Sequence, residues 1–161
     1  MSTRSGIGWD SHRLVAGRSL IIGGVALEHP EGLGLQGHSD ADVLTHALMD
    51  AILGAAGLGD IGQHFPDSDG AYEGADSVAL LGEVVASARA AGWVVTHADM
   101  TLVMERPKLR DARAAIRTRL AQALGVAEDA VNVKASTGEG IGFVGREEGV
   151  AALAVVTVAP A

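Results

Sequence analysis

Asp10 and His12 are one residue apart in GIGWDSHRL (6–14), a segment that reads as a strand. Alternate side chains of a strand share a face, so a carboxylate and an imidazole at this spacing can converge on one point. His46 stands on a segment of helical periodicity, at the margin of its apolar stripe. One Asp and two His can bind Zn2+ with a fourth position left open, the arrangement of catalytic zinc sites and one that a phosphate oxygen could complete. Taken alone, the spacing is weak evidence. Asp-x-His arises easily by chance, and a histidine on a helix edge is more often half-buried and hydrogen-bonded than a ligand.

Further groups suit the binding of phosphate. In His38-Ser39-Asp40-Ala41-Asp42, His38 precedes and Ser39 begins a predicted helix, whose N-terminal N–H groups and partial positive charge favour anions. The plain alternative is that Ser39 only caps and the acids only complement the dipole. Lys134-Ala135-Ser136-Thr137-Gly138-Glu139-Gly140 runs from a strand into a glycine-interrupted turn, and such turns can aim successive N–H groups at phosphate. Glu139 offers a carboxylate to a second hard cation such as Mg2+. Positive charge comes from Arg106-Pro107-Lys108-Leu109, where Pro107 restricts the backbone, and from Arg146. Arg106 itself reads as an ordinary surface residue.

The elements that must position these groups follow from periodicity. A helix is expected over about 40–54, capped by Ser39 with Asp42 completing a capping box, its Val43, Leu44, Ala47, Leu48, Ala51 and Ile52 at helical spacing and Gly54 and Gly57 ending it. Two more helices are expected over about 76–91, ended by Gly92, and about 110–124, ended by Gly125. Besides 6–14, strands are expected at 93–104, 130–135 and 149–159, where β-branched residues dominate, and SLII (19–22) with VALE (25–28) forms a hairpin or bent strand about Gly23-Gly24. The order predicts an α/β (α+β sandwich) fold, one mixed β-sheet with helices packed on one face. The last strand is apolar on both faces, so helices or a neighbouring subunit must cover each side. Residues 55–75 show little regular pattern, and a segment of that length inside a compact domain is usually functional or mobile.

The 161 residues fit one domain spanning 1–161. There is no cysteine, which excludes disulfides, thiolate zinc sites and a cysteine nucleophile. No run approaches the ~18 apolar residues of a membrane span, and the first residues lack the apolar core of a leader, so the reading is a cytoplasmic protein without membrane partners. The formal net charge is −8, with 20 acidic and 12 basic side chains. That argues against nucleic acid as a partner. It also means that a site for phosphates must import positive charge or concentrate what little the chain has.

In combination, GIGWDSHRL (6–14), GHSDADVLTHALMDAILGAAGLGDIGQHFPDSD (37–69), GADS (74–77), the Pro107-Lys108 loop, VNVKASTGEGIGFVGREEG (131–149) and the closing apolar strand resemble the 2-C-methyl-D-erythritol 2,4-cyclodiphosphate synthase family of the non-mevalonate isoprenoid pathway. The resemblance extends over essentially the whole chain, and the ordered His, Ser, Asp, His and Gly-Asp-Ile-Gly of the long second segment is its most specific part. It implies a homotrimer around a central apolar channel, with active sites between subunits. It implies a reaction in which the 2-phosphate of 4-diphosphocytidyl-2-C-methyl-D-erythritol 2-phosphate attacks the β-phosphorus, closing a cyclodiphosphate and expelling CMP. Positioning and charge neutralisation suffice for such chemistry.

By matching position, the resemblance makes Asp10, His12 and His46 the ligands of Zn2+, and Glu139 the ligand of a second divalent cation, Mg2+ or Mn2+. His38 and Thr137 match residues that stabilise the transition state. Ser39 would bond phosphate and Asp60 the methylerythritol hydroxyls, with Ile61 and Gly62 beside it. Phe65, Asp67 and Asp69 belong to a flexible flap, FPDSD (65–69). Met104, Pro107, Lys108, Leu109, Ala135 and Ser136 would form the cytidine pocket. Arg146 would face the channel, where the family can bind an isoprenoid diphosphate, with Phe143 near the mouth. The chain departs from the family pattern in carrying Ser136-Thr137 for a Thr-Thr pair, Trp9 for a common Phe, and Glu147 for a usual glycine. Two rival readings use the same residues: a zinc phosphohydrolase that admits water, and a non-catalytic trimeric carrier of isoprenoid diphosphate.

Overall fold

The computed structural model describes residues 2–161. Elements follow in the order β1 (Arg4–Ala16), β2 (Leu20–Ile22), β3 (Val25–Leu27), β4 (Leu33–Leu35), α1 (Val43–Ala56), α2 (Ile61–His64), α3 (Ser77–Ala90), β5 (Trp93–Val103), α4 (Arg113–Leu124), β6 (Val131–Ser136), α5 (Gly142–Gly145) and β7 (Gly149–Pro160), with 3-10 turns at Gly70–Tyr72 and Glu128–Ala130. A five-stranded sheet runs β4-β1-β7-β5-β6. Among the described residues only β5 and β6 pair in parallel, and α4 makes the crossover that a parallel pair requires. The expected mixed sheet is present. β4 was not foreseen, because a three-residue strand carries too short a pattern to read.

α1 lies over β1 and β7, α3 packs on α1 and β5, and α4 packs on α3 and β6. α1 is more deeply set than its predicted stripe implies: of its residues only Asp50 and Gly54 escape full burial. A helix apolar nearly all round must lie inside the core. What lets it in is glycine. Gly6 and Gly8 of β1 face α1, and a Cβ at either would collide with the backbone of α1 at Ala51 and Ala47 respectively. Alanines 47, 51 and 55 on the helix and glycines on the strand thus remove the side chains that would hold the two elements apart. Asp10 and His12 continue the same alternation along β1, which brings them to the face where His46 lies.

The start of α1 corrects the expected capping. Asp42, not Ser39, is the N-cap, and the helix begins three residues later than expected. One Asp42 carboxylate oxygen accepts from the N–H groups of Gly23 and Thr45, and the other from Gly24 N–H and the Thr45 hydroxyl. Burial pushes this carboxyl up, opposed by the bonds from Thr45, Gly23 and Gly24. Gly23 and Gly24, with φ of 57° and 74°, turn the β2–β3 hairpin. A fully buried side chain therefore caps the helix and ties it to a hairpin about 20 residues upstream in the chain. At the other end Gly57, in the left-handed region, closes α1, so Gly54 does not stop it.

The face of the sheet turned away from α1 is open. Ile7 is 70% exposed, Trp9 53% and Val155 45%, and Ile7 pairs with Val155 while Trp9 pairs with Leu153. Among the described residues, the outward side of β7 is covered at Gly149 and Ala151 and opens from Leu153 to Val155.

The α1–β1 contact yields a paired expectation. Gly8→Ala lowers stability to urea by about 2–3 kcal/mol, the scale of overpacking in a dense interior, and weakens metal binding because α1 is levered off β1. Gly54→Ala, where nothing lies within 4 Å of the added atom, is neutral or gains up to about 1 kcal/mol. Equal responses from the two variants would disprove the close-approach account.

Candidate metal centre and nucleotide cavity

Asp10 Oδ2 lies 2.8 Å from His12 Nε2 and 3.2 Å from His46 Nδ1, and those two nitrogens are 3.2 Å apart. Ligand atoms on one face of a tetrahedral zinc site, at bonds of about 2.0 Å, would be spaced by about 3.3 Å. The donor set and its spacing fit one divalent cation. The outward nitrogen of each ring is engaged elsewhere. His12 Nδ1–H donates to the carbonyl of Gln36 at 2.8 Å, which leaves Nε2 as the lone-pair atom. His46 Nε2 lies 2.9 Å from Ser77 Oγ and 3.2 Å from Ser39 Oγ, and the Ser77 hydroxyl donates to Asp40. A relay from Asp40 through Ser77 to His46 Nε2–H presents the Nδ1 lone pair to the centre, the usual outer support of a metal-binding imidazole.

Burial by itself would raise the Asp10 carboxyl, but the hydrogen bonds from His12 and His46 outweigh it and hold the group below its ordinary 3.8. Burial would likewise lower His12, and the bond to Asp10 outweighs that, holding it above its ordinary 6.5. The site thus attracts positive charge, as a proton or as a metal ion.

A cavity of about 430 Å³ opens beside this cluster, lined by Asp10, His12, His38, Ser39, His46, Ile61, Gly62, Phe65 and Asp67, all singled out in the sequence, and also by Gly37, Met49, Tyr72 and Leu80. Arg18 holds its rim by donating to the carbonyls of Leu35 and Ser39. Ser39 does not sit at the helix N-terminus as the sequence suggested. Its hydroxyl accepts from Ala41 N–H and faces His46. His38 Nε2–H donates to the carbonyl of Asp69. Residues 55–75, expected to show little regular structure, contain α2 and the 3-10 turn on either side of 65–69, with Phe65 stacked edge-on against Tyr72. Asp60 and Asp69 are the N-caps of these turns, accepting from Gln63 and Ala71, and neither lines the cavity. Glycine-rich, weakly apolar sequence hid both short helices.

A second cavity of about 400 Å³ is lined by Met104, Pro107, Lys108, Leu109, Ala135, Ser136 and Thr137, together with Leu102, Arg110 and Arg113, which the sequence did not single out. The two cavities share no lining residue. Register gives the distance between them. Asp10 pairs with Ala152, Ala152 with Leu102 and Leu102 with Ala135, so Asp10 and Ala135 are three strand spacings apart, about 14 Å. Glu139, with φ 53°, is exposed on the turn beyond β6 and its N–H donates to Thr137 Oγ1. Within one chain it is not grouped with Asp10, His12 and His46. Arg146 pairs with Glu148 on the surface. Phe143 lines a smaller cavity with Ser11, His12 and Arg13. Arg106 is at the surface as expected, and it is paired there: it donates to Glu147 and Glu31.

The fold and site define an α/β protein, built on a five-stranded mixed sheet beside a two-stranded one, with an Asp-His-His centre able to hold a divalent metal. The YgbB family profile matches residues 3–159, and the chain belongs to that family. A 2-C-methyl-D-erythritol 2,4-cyclodiphosphate synthase of Synechococcus sp. is 57% identical over 96% of this chain and 93% of its own length. Among solved structures, the bifunctional IspDF of Campylobacter jejuni superposes with a TM-score of 0.94 at 41% identity, over 99% of this chain and 43% of that one. A 2C-methyl-D-erythritol-2,4-cyclodiphosphate synthase in a CDP-bound form superposes with a TM-score of 0.88 at 37% identity, over 97% of this chain and the full length of that one. Among the described residues no helix is long and apolar enough to cross a membrane.

The opposite shifts of Asp10 and His12 set a pH dependence. In the metal-free protein, His12 contributes stability that is full below pH 6.5 and is lost as pH rises through its raised value. Asp10 contributes stability that is present above pH 3.8 and is lost as pH falls through its depressed value. A cation competes with the His12 proton, so its binding strengthens as pH rises. The rise in Tm caused by Zn2+ therefore grows between about pH 5.5 and about pH 8. Differential scanning calorimetry with and without the ion checks this, and a shift independent of pH would disprove it.

Proposed function

We propose that this protein converts 4-diphosphocytidyl-2-C-methyl-D-erythritol 2-phosphate to 2-C-methyl-D-erythritol 2,4-cyclodiphosphate and CMP, as a phosphorus–oxygen lyase of the non-mevalonate isoprenoid pathway. The observation that carries this reading is the facing of three lone-pair atoms, from Asp10, His12 and His46, at the wall of a cavity in a chain of net charge −8. Relatives that carry the synthase name over nearly their full length support it.

Asp10, His12 and His46 would hold Zn2+, and Glu139 a second cation, Mg2+ or Mn2+. Bound there, a divalent ion supplies Lewis-acid polarisation and neutralises the diphosphate. The chain's own residues do the rest. Ser39 bonds phosphate, Asp60 with Ile61 and Gly62 receives the methylerythritol end, and Phe65, Asp67 and Asp69 close over it. Met104, Pro107, Lys108, Leu109, Ala135 and Ser136 hold the cytidine. His38 and Thr137 donate to the charge that develops as the 2-phosphate attacks the β-phosphorus and CMP leaves. The attacking group is the substrate's own phosphate, so no enzyme nucleophile is required and excluding water matters more than activating it.

The domain is a single cyclodiphosphate synthase domain over 1–161, and it works as a homotrimer. Two features support the assembly. The apolar column of Ile7, Trp9, Leu153 and Val155 is open on one sheet face, and Thr137 and Glu139 belong to a different part of the chain from the Asp10 cluster. A neighbouring copy that brings its nucleotide cavity to this metal centre completes one site. The channel enclosed by those faces, which Arg146 would face with Phe143 near the mouth, would take an isoprenoid diphosphate. A soluble cytidine nucleotide as substrate is consistent with a cytoplasmic location.

Incubation with the substrate, Zn2+ and Mg2+, followed by 31P NMR, yields equimolar CMP and a cyclic diphosphate, and chelator abolishes both. CMP with a linear phosphate would convert the reading to a hydrolase. A metal-loaded protein without turnover would convert it to a carrier.

The two halves of the site separate by mutation. Asp10→Asn and His46→Ala lose zinc and turnover by at least about a hundredfold. Lys108→Ala keeps zinc and binds CDP about tenfold more weakly, the scale of one charge-assisted bond. Turnover by either zinc-free variant, or an unchanged CDP affinity for Lys108→Ala, would sink the corresponding assignment.

A further inference from the structure

Glu147 occupies a position where the backbone favours glycine. Its φ is 54°, in the left-handed region that a glutamate enters only at a cost in strain. Its side chain is fully engaged: Oε1 accepts from Arg106 Nε at 2.7 Å and Oε2 from the Arg106 terminal nitrogen at 2.6 Å, a two-pronged pair of fixed geometry. Glu31 accepts from the same terminal nitrogen at 2.8 Å. Beneath lies His29, its side chain buried, with Nδ1 accepting from Glu31 N–H and Nε2 3.7 Å from Glu147 Oε1. Three loops meet at this cluster: β3–β4, β5–α4 and α5–β7.

The β5–α4 loop is the one that bears on function. Glu105, beside Arg106, accepts from Gly138 N–H in the turn beyond β6. Pro107, Lys108 and Leu109 follow directly and line the nucleotide cavity. The N-terminal end of that lip is thus held twice, by Glu105 to the turn beyond β6 and by Arg106 to Glu147 and Glu31. Both Arg106 and Glu147 keep substantial solvent exposure, and exposed pairs add little to global stability. The strain at Glu147 is therefore tied to a local consequence.

We propose that Glu147 is a positioning residue for the nucleotide cavity: through Arg106 it holds the Pro107–Leu109 lip in the form that receives a cytidine nucleotide. The inference rests on the function proposed above. It makes the α5–β7 turn, where Arg146 also lies, a structural partner of the nucleotide cavity. The bond from Arg106 keeps the Glu147 carboxyl below the ordinary carboxylate value, so the clamp stays charged through neutral pH.

Calorimetric titration of the zinc-loaded protein with CDP, and separately with inorganic pyrophosphate, tests this in Glu147→Gly, Arg106→Ala and the double variant. Glycine relieves the backbone strain, so Glu147→Gly folds at least as well as the parent. Each single variant binds CDP about fivefold more weakly, and the double variant no more weakly than either, as for two members of one interaction. Zinc content is unchanged and pyrophosphate binds within about twofold of the parent. CDP affinity equal to the parent's, losses that multiply in the double variant, or a parallel loss for pyrophosphate would each overturn the positioning role. A parent protein that binds no CDP would instead bring down the proposed function, and this inference with it.

Discussion

The contact on which the rest of the site depends is the near-touching of α1 and β1. Two glycines on the strand and a row of alanines on the helix allow it, and a single methyl on Gly6 or Gly8 would meet helix backbone. Burying a helix this deeply leaves no room for error in its rotation, because interiors pack at crystal-like density. That rigidity sets His46 3.2 Å from Asp10. The same strand carries the glycines and the ligands at alternate positions, so one segment seats the helix and supplies two of the three donors.

The remaining support of the centre is polar and comes from further off. Asp42 fastens the start of α1 to the β2–β3 turn, and Asp40, through Ser77, fixes which His46 nitrogen faces inward. Three acceptor atoms directed at one another are unfavourable until a positive charge joins them. An acidic chain that handles phosphates gains such a charge by binding a cation where the arrangement is already built. The directions taken by Asp10 and His12 are the proton's version of the same attraction.

Much of this was legible in the sequence, and the pattern of success has a physical reason. The long strands and helices carry enough residues for periodicity to register, and the double-sided apolarity of β7 registers too, one of its faces lying partly open in the single chain. That Asp10 and His12 share a face was legible because alternation on a strand is nearly invariant; their spacing alone did not make them ligands. The start of α1 was misplaced because Ser39 and Asp42 are both good caps. Only the hairpin glycines, far away in sequence, select Asp42. The pairing of Arg106 was hidden for the same reason: its partners Glu31 and Glu147 are remote in sequence, and no local pattern joins them. Arg110 and Arg113 were missed because positive charge at the start of a helix looks incidental until the cavity wall is seen.

The separation of the two cavities follows from the sheet. One chain presents charge-binding chemistry at the β1 edge of the β7–β5 pair and a half-apolar cleft at the other edge, with buried Ala152 and Leu102 between them. Side chains cannot reach across, because that interval is filled by the core that holds α1 in place. Moving the cavities together within one chain would require dismantling the contact that positions the metal ligands. A site that needs both kinds of chemistry is therefore built more readily by apposing two copies than by refolding one. The exposed column of Ile7, Trp9 and Val155 lies on the face where apposition would bury apolar surface.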